Sequence, residues 1–311
     1  MEPVKQIQEP LKNFIMVSII VAVMEEKGLD TIFTLLDSFF PQEGDIDYEF
    51  IVVDEYNKQR EKIYHDQFPW VTLIQTERLM PESYARNIAL RHARGKFIAF
   101  TTDHCIFPRH YIKNLVAEFS KGYRIVGGPV TNANPEIFTG WVQYFCEYNK
   151  WIPGLPDGEI DDLPGCNFAY HAELLRKLGP LPEGGYSTET LFHRKAKEAD
   201  NKLYFFGGLE IKHTNEVHLP VIWKERFYYG RLFAARRGFA LWRRIVYIIL
   251  SPMIALAEYL RILNHARRNL QYLKKFIHCT PLLLPTLFIW MAGECIGYAR
   301  NKQDKNDYTP C

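Results

Sequence analysis

The sequence predicts an α/β protein: a doubly wound, mostly parallel sheet flanked by helices, followed by a hydrophobic helical extension. Three observations point there. Short β-branched runs alternate with helix-spaced segments through the first 130 residues. The ends of three of those runs carry acids or imidazole. After about residue 225 the composition turns basic, aromatic and apolar.

The elements follow in order. Residues 15–23 are near-continuously apolar, as in a strand buried on both faces. Apolar residues at 32, 33, 35, 36, 39 and 40 have helical spacing. Residues 48–53 read as a second strand closing at Asp54-Glu55, residues 58–68 as helix and 71–74 as a third strand. Residues 83–94 read as helix, 96–100 as a fourth strand, 111–119 as helix, and Ile125-Val126 leads into a Gly-Gly-Pro turn. In such sheets ligands bind outside the carboxyl ends of the strands. Those ends carry Glu25-Glu26, Asp54-Glu55 and Asp103-His104, which a shared site explains better than coincidence.

Composition bounds the rest. The chain has 311 residues, 47% hydrophobic and 24% charged, with a formal net charge of only +2. That balance argues against a nucleic-acid-coating protein. Between Arg226 and Lys275, however, Lys and Arg face a single acid, Glu258, so this part is expected to meet an anionic surface. The six cysteines are scattered without a Cys-x-x-Cys pair, which reads as reduced thiols in a cytosolic setting. The polar N-terminus lacks the apolar run of a secretory signal. No Gly-x-Gly-x-x-Gly and no Walker-type loop follows the first strand. Any nucleotide phosphates therefore need a metal, or Arg and His side chains, as counter-charge.

The order "VSIIVAV", "EFIVVDE", "ESYARNIALRHARGKFIAFTTDHC", "GCNFAYHAELLRKLG" and "STETLFHRKAKEADNKLYF" resembles the family 2 glycosyltransferases with their GT-A fold, over roughly residues 14–230. The resemblance implies an inverting glycosyltransferase that moves a sugar from a nucleotide diphospho-sugar to an acceptor hydroxyl. It implies that Val23, Glu25, Asp54 and Glu55 line the base and ribose pocket, with Arg86, Asn87 and Asp103 on the nucleotide side. It places Glu189 as catalytic base, with Thr188 where the family has a preceding acid. Asn167, Thr188, Tyr229 and Arg231 fall on the acceptor side. The family's Asp-x-Asp reads Thr102-Asp103-His104 here. A divalent Mn²⁺ or Mg²⁺ would then rest on Asp103, His104 and His213, or a protonated His104 would replace part of its charge. A catalytically silent nucleotide-sugar-binding or scaffold relative is the alternative, because two of the three positions are replaced.

The expected division is a GT-A domain over 1–225 and a membrane-associated region over 226–311. Its two uncharged runs, Ile245 to Ala257 and Phe276 to Gly293, are 13 and 18 residues long. A spanning helix wants about 20. Apolar stretches flanked by Arg and Trp fit helices lying in the interface of an anionic membrane, on its cytoplasmic side, rather than one or two spans. That placement suits a lipid-linked or cell-envelope glycan acceptor. The sequence leaves the donor sugar, the linkage and the oligomeric state open.

Overall fold

The computed structural model describes residues 15–23, 29–78, 80–183 and 188–300. The chain opens with β1 (Val17–Ala22), α1 (Leu29–Phe39), β2 (Tyr48–Glu55), α2 (Lys58–Gln67), β3 (Val71–Thr76), α3 (Glu82–Leu90) and β4 (Phe97–Thr102). Then come β5 (Cys105–Ile106), α4 (Tyr111–Ser120), β6 (Ile125–Gly127), β7 (Val130–Asn132) and α5 (Phe138–Tyr148). The middle of the chain supplies β8 (Gly158–Ile160), β9 (Phe168–His171), α6 (Ala172–Leu178), α7 (Thr188–Glu198), β10 (Leu203–Phe205) and β11 (Ile211–His213). Three helices close it: α8 (Leu219–Arg236), α9 (Leu241–Ala266) and α10 (Leu270–Arg300).

The main sheet runs β3-β2-β1-β4-β9-β6-β10-β8. β1 pairs parallel with β2 and β4, and β2 with β3. The expected parallel, doubly wound half is therefore present. β9 is antiparallel to both β4 and β6, and β8 to β10. Phe100 opposes Phe168 across β4 and β9, their rings stacked at 4.8 Å. Both faces of the sheet are covered. Val17, Ile19 and Val21 pack with Leu35 and Phe39 on one side. Ile20 and Ala22 pack with Ala85, Ala89 and Phe192 on the other. Side chains alternate across a strand, so one apolar run serves two layers.

Three strands, β2, β3 and β4, run further than the sequence reading, β3 ending at Thr76 rather than at residue 74. β2 continues through Asp54 and Glu55, because both pair in register with Gln75 and Thr76 of β3. β4 continues through Thr101 and Thr102, which pair with Val21 and Ala22. The polar groups thus belong to the strand ends themselves.

A second, three-stranded sheet runs β5-β11-β7. His213 of β11 opposes Cys105 of β5. This pairing brings the residue after Asp103 to the end of the domain's last strand.

The last two helices share the core of the sheet domain. Phe276, Cys279, Leu283 and Met291 of α10 join the same buried cluster as Phe145 of α5. Gly293 lets α10 approach α8 backbone to backbone, with the Phe227 carbonyl where a side chain would stand. The expected domain boundary at 225/226 falls inside α8. The apolar runs also extend further than their uncharged cores. α9 has 26 residues and α10 has 31, each long and apolar enough to cross a membrane by length and composition. Prolines 252, 281 and 285 lie within them without ending them.

Candidate active site

The ends of β4 and β11 and the start of α7 build the site. β4 carries Asp103 and His104 just past its last residue. Asp103 is buried, and its Oδ1 lies 2.7 Å from His104 Nδ1. The small sheet then sets His213 against His104, ring centroids 4.3 Å apart and edge to face. His213 Nδ1 is 3.2 Å from Asn215 Oδ1. Burial opposes charge on His104, yet its hydrogen bond to Asp103 and that carboxylate's charge outweigh it and raise the group to about 9. Its ring is 32% exposed. Burial and the neighbouring His104 charge push His213 well below the ordinary histidine range. The pair therefore carries one positive charge at neutral pH, on His104.

This donor set does not fit a three-ligand metal site. Asp103 Oδ1 and His104 Nδ1 occupy one another, the imidazoles pack edge to face, and His213 Nδ1 is turned to Asn215. No group of three His, Cys, Asp or Glu able to hold a metal occurs among the described residues. The three expected ligands, Asp103, His104 and His213, therefore lie side by side, with Asp103 Oδ1, His104 Nδ1 and His213 Nδ1 each turned to another partner. Asp103 remains as a single hard carboxylate.

Glu189 lies in the first turn of α7, where a carboxylate suits the helix dipole. Its floor is Gly165: a β-carbon there would come 2.8 Å from Glu189 Oε1. Thr188 is buried with Oγ1 3.5 Å from Glu189 Oε2. One turn further, His193 Nδ1 is 2.7 Å from Asp162 Oδ1, while Thr190 donates to Asp162 Oδ2 at 2.9 Å. Asp162 thus ties α7 to the segment before Gly165. Arg236 of α8 is within electrostatic reach of Glu189; burial lowers its value and Glu189 counters that.

A cavity of about 1170 Å³ joins these groups. Asp103, His104, His213, Thr188 and Glu189 line it, and so does Tyr229 of α8. It continues between α8, α9 and α10, where Leu232, Ile254, Leu287 and Met291 form apolar wall. Asp162, Gly165 and Glu82 also line it and were not singled out by sequence. The available signal for Glu82 was its i,i+4 relation to Arg86.

Other expected residues lie behind the cavity. Asp54 is buried, 3.2 Å from Arg60 Nη1 and bonded by Tyr64 Oη at 3.1 Å. Burial raises its carboxyl against the pull of Arg60. Arg60 is itself buried, and 3.7 Å from Glu55. Val23 is buried at the end of β1, bonded to the Val53 carbonyl. Arg86 is fully buried and Asn87 nearly so. Arg86 donates to Gly165 O at 2.7 Å, and Asn87 brackets Leu181 through its amide. Asn167 is fully buried, bridging Pro129, Leu209 and Tyr111. Arg231 stacks over Tyr228 and is not on the cavity wall. Glu25 lies outside the described residues.

Comparison with known families decides the affiliation. The family model for glycosyl transferase family 2 matches residues 18–179, just over half of the chain. The chain belongs to glycosyl transferase family 2. No curated protein sequence matches it at a significant level. Among solved structures it is similar to the mannosyltransferase PcManGT from Pyrobaculum calidifontis in complex with GDP-Man and Mn²⁺. That match has 17% identity and a TM-score of 0.58, over 95% of this chain and 89% of the other. It is similar to S. aureus TarS 1-349 in complex with UDP-GlcNAc, at 16% identity, TM-score 0.52, and 92% and 90% coverage. GalNAc-T7 with UDP, GalNAc and Mn²⁺ aligns at 18% identity and TM-score 0.51, over 73% of this chain and 51% of that one. At these identities the likenesses establish the GT-A fold of this family 2 member.

Proposed function

We propose that this family 2 glycosyltransferase transfers a hexose from a nucleotide diphospho-sugar to an acceptor hydroxyl with inversion. The observation that carries the reading is Glu189, a helix-start carboxylate set on Gly165 in one cavity with Asp103 and His104. Inversion requires a single base to take the acceptor proton as its oxygen attacks the anomeric carbon. Glu189 has that role. The donor base rests near Val23 and Asp54, and the diphosphate at Asp103 and His104. The His104 charge then faces the leaving phosphate, a donor fixed before the charge develops. Arg86 and Asn87 act from behind, holding Gly165 and Leu181 in place.

The neighbours solved with Mn²⁺ make a divalent ion reasonable for this fold. In this chain the ion would meet one carboxylate, so His104 is assigned the larger share of the counter-charge. Chelator treatment followed by Mn²⁺ and Mg²⁺ titration tests that assignment: partial activity should survive stripping, and complete, metal-restored loss contradicts it.

The acceptor is proposed to be lipid-linked. The cavity reaches from Glu189 into the apolar walls of α8, α9 and α10. The outer face of α9 exposes Trp242, Ile245, Ile249, Met253, Leu256 and Leu260, a helical stripe. Arg243 and Arg261 flank it. Such a face suits burial in the headgroup region of an anionic membrane. Tyr229 stands where the acceptor would pass.

Glu189→Gln is the test of the reading. Transfer should fall by about 10²–10⁴-fold, while donor binding by thermal shift is retained. Turnover equal to wild type rejects Glu189 as the base. A wild-type protein that binds donor without hydrolysing or transferring it favours the silent-relative alternative.

A further inference from the structure

Inversion uses one carboxylate, and the cavity holds another that the reading above leaves unused. Glu82 opens α3 directly after Pro81. Its Oε1 meets Arg86 Nη2 at 2.5 Å, one helical turn on. The same nitrogen donates to Gly165 O at 2.7 Å, and Gly165 is the floor under Glu189. It is also 3.4 Å from the Thr101 carbonyl, two residues before Asp103. Arg86 itself is fully buried against the Phe100 and Phe168 rings, at 5.7 and 5.5 Å. One immobilised guanidinium therefore anchors Glu82 at the junction of the Asp103 strand end and the Glu189 floor. The Glu82 side chain is 26% exposed and lines the cavity.

With the diphosphate at Asp103 and the acceptor hydroxyl at Glu189, the transferred sugar has to bridge the two. Glu82 stands beside that bridge. We propose that Glu82 is a donor-sugar-binding residue, its carboxyl accepting hydrogen bonds from ring hydroxyls of a neutral hexose and disfavouring a uronate. The proposal rests on the glycosyltransferase reading and deepens it. A carboxylate accepts from two vicinal hydroxyls without rearrangement. A uronate would add a further anion beside Glu82, Asp103 and Glu189, and an unpaired like charge is an effective means of rejection. Burial pushes Glu82 up to about 7, Arg86 pulls it down, and the charges of Glu189 and Asp103 add to the rise. Near neutrality the group is thus able to accept from a hydroxyl or donate to one.

The test is Glu82→Gln, read by calorimetric binding and by KM and kcat. Three probes sharing one nucleotide are compared: the nucleoside diphosphate, its neutral-hexose donor and its uronate donor. Affinity for the nucleoside diphosphate should stay within twofold of wild type. Affinity for the hexose donor should fall at least tenfold, and the preference for hexose over uronate should narrow by a similar factor. Unchanged donor affinity with a lowered Tm overturns the proposal and leaves Glu82 as a partner of Arg86 alone. An equal fall for all three probes overturns it too. Glu82→Asp keeps the charge but draws the carboxyl back by one methylene. Should the Gln variant not fold, unchanged hexose affinity in the Asp variant overturns the proposal and a drop supports it. Failure of the wild type to bind any nucleotide sugar would defeat the glycosyltransferase reading itself, before any variant is compared.

Discussion

The sheet half and the helical half of this molecule treat their exposed chemistry in opposite ways. At the strand ends the acids have fixed internal partners: Asp54 with Arg60 and Tyr64, Asp103 with His104. Along α9, large apolar side chains such as Trp242, Ile249 and Met253 are more than 60% exposed. The first half is ordered by its own hydrogen bonds, ready for a small polar ligand. The second leaves a surface that water does not favour and that a lipid would cover. One cavity joins the two, lined by Glu189 at its polar end and by α8, α9 and α10 at its apolar end.

Removing the keystone of the first half should have the largest effect. Arg86→Met strands the Gly165 carbonyl and the Glu82 carboxylate. Losing one partner of such a buried network costs about 2–5 kcal/mol. A fall in Tm of several degrees, together with loss of turnover, is expected in thermal melts and donor assays. A stable, active variant would show that the sheet half does not depend on this network.

The second half responds to a different change. Trp242→Asp, Ile249→Asp and Met253→Asp combined should weaken binding to anionic vesicles more than tenfold. Soluble donor binding should be untouched, since these side chains lie on the outer face of α9. Vesicle flotation beside donor calorimetry separates the two. Equal vesicle binding would remove lipid as the partner of that face. Carbonate extraction then sharpens the placement: release supports an interfacial helix, retention a crossing one.

The smallest effect is one of pH. His104 is held at about 9, above its ordinary 6.5. Its contribution to stability is therefore complete below 6.5 and is lost as pH rises through about 9. Donor affinity should decline over the same alkaline range, and His104→Gln should flatten that limb. An alkaline limb that persists unchanged in the variant assigns the titration elsewhere.

Much of the sheet was legible because its signals are local. A β-branched run ending in a polar group marks both a strand and the mouth of a site, as at Asp103. Glu189 was placed instead by the resemblance to family 2 glycosyltransferases, and it lies in the first turn of α7. Contacts between distant segments were not legible. His104 meets His213 only through the β5–β11 pairing, which links residues far apart in the chain. Arg86 read as one of the nucleotide-side groups. Its burial against Phe100 and Phe168 depends on β9 running antiparallel beside β4, which no local pattern announces. The C-terminal runs were read by their uncharged cores, whereas α9 and α10 carry their charges within longer helices. Their packing around the cavity follows from close contacts such as that at Gly293.

The central claim is inverting transfer with Glu189 as base. Its most direct test is the anomeric configuration of the product, followed by NMR from an α-linked nucleotide-sugar donor with wild type and Glu189→Gln. A β-configured product from the wild type and none from the variant is the predicted result. An α-configured product, or equal β-product from both proteins, would contradict it.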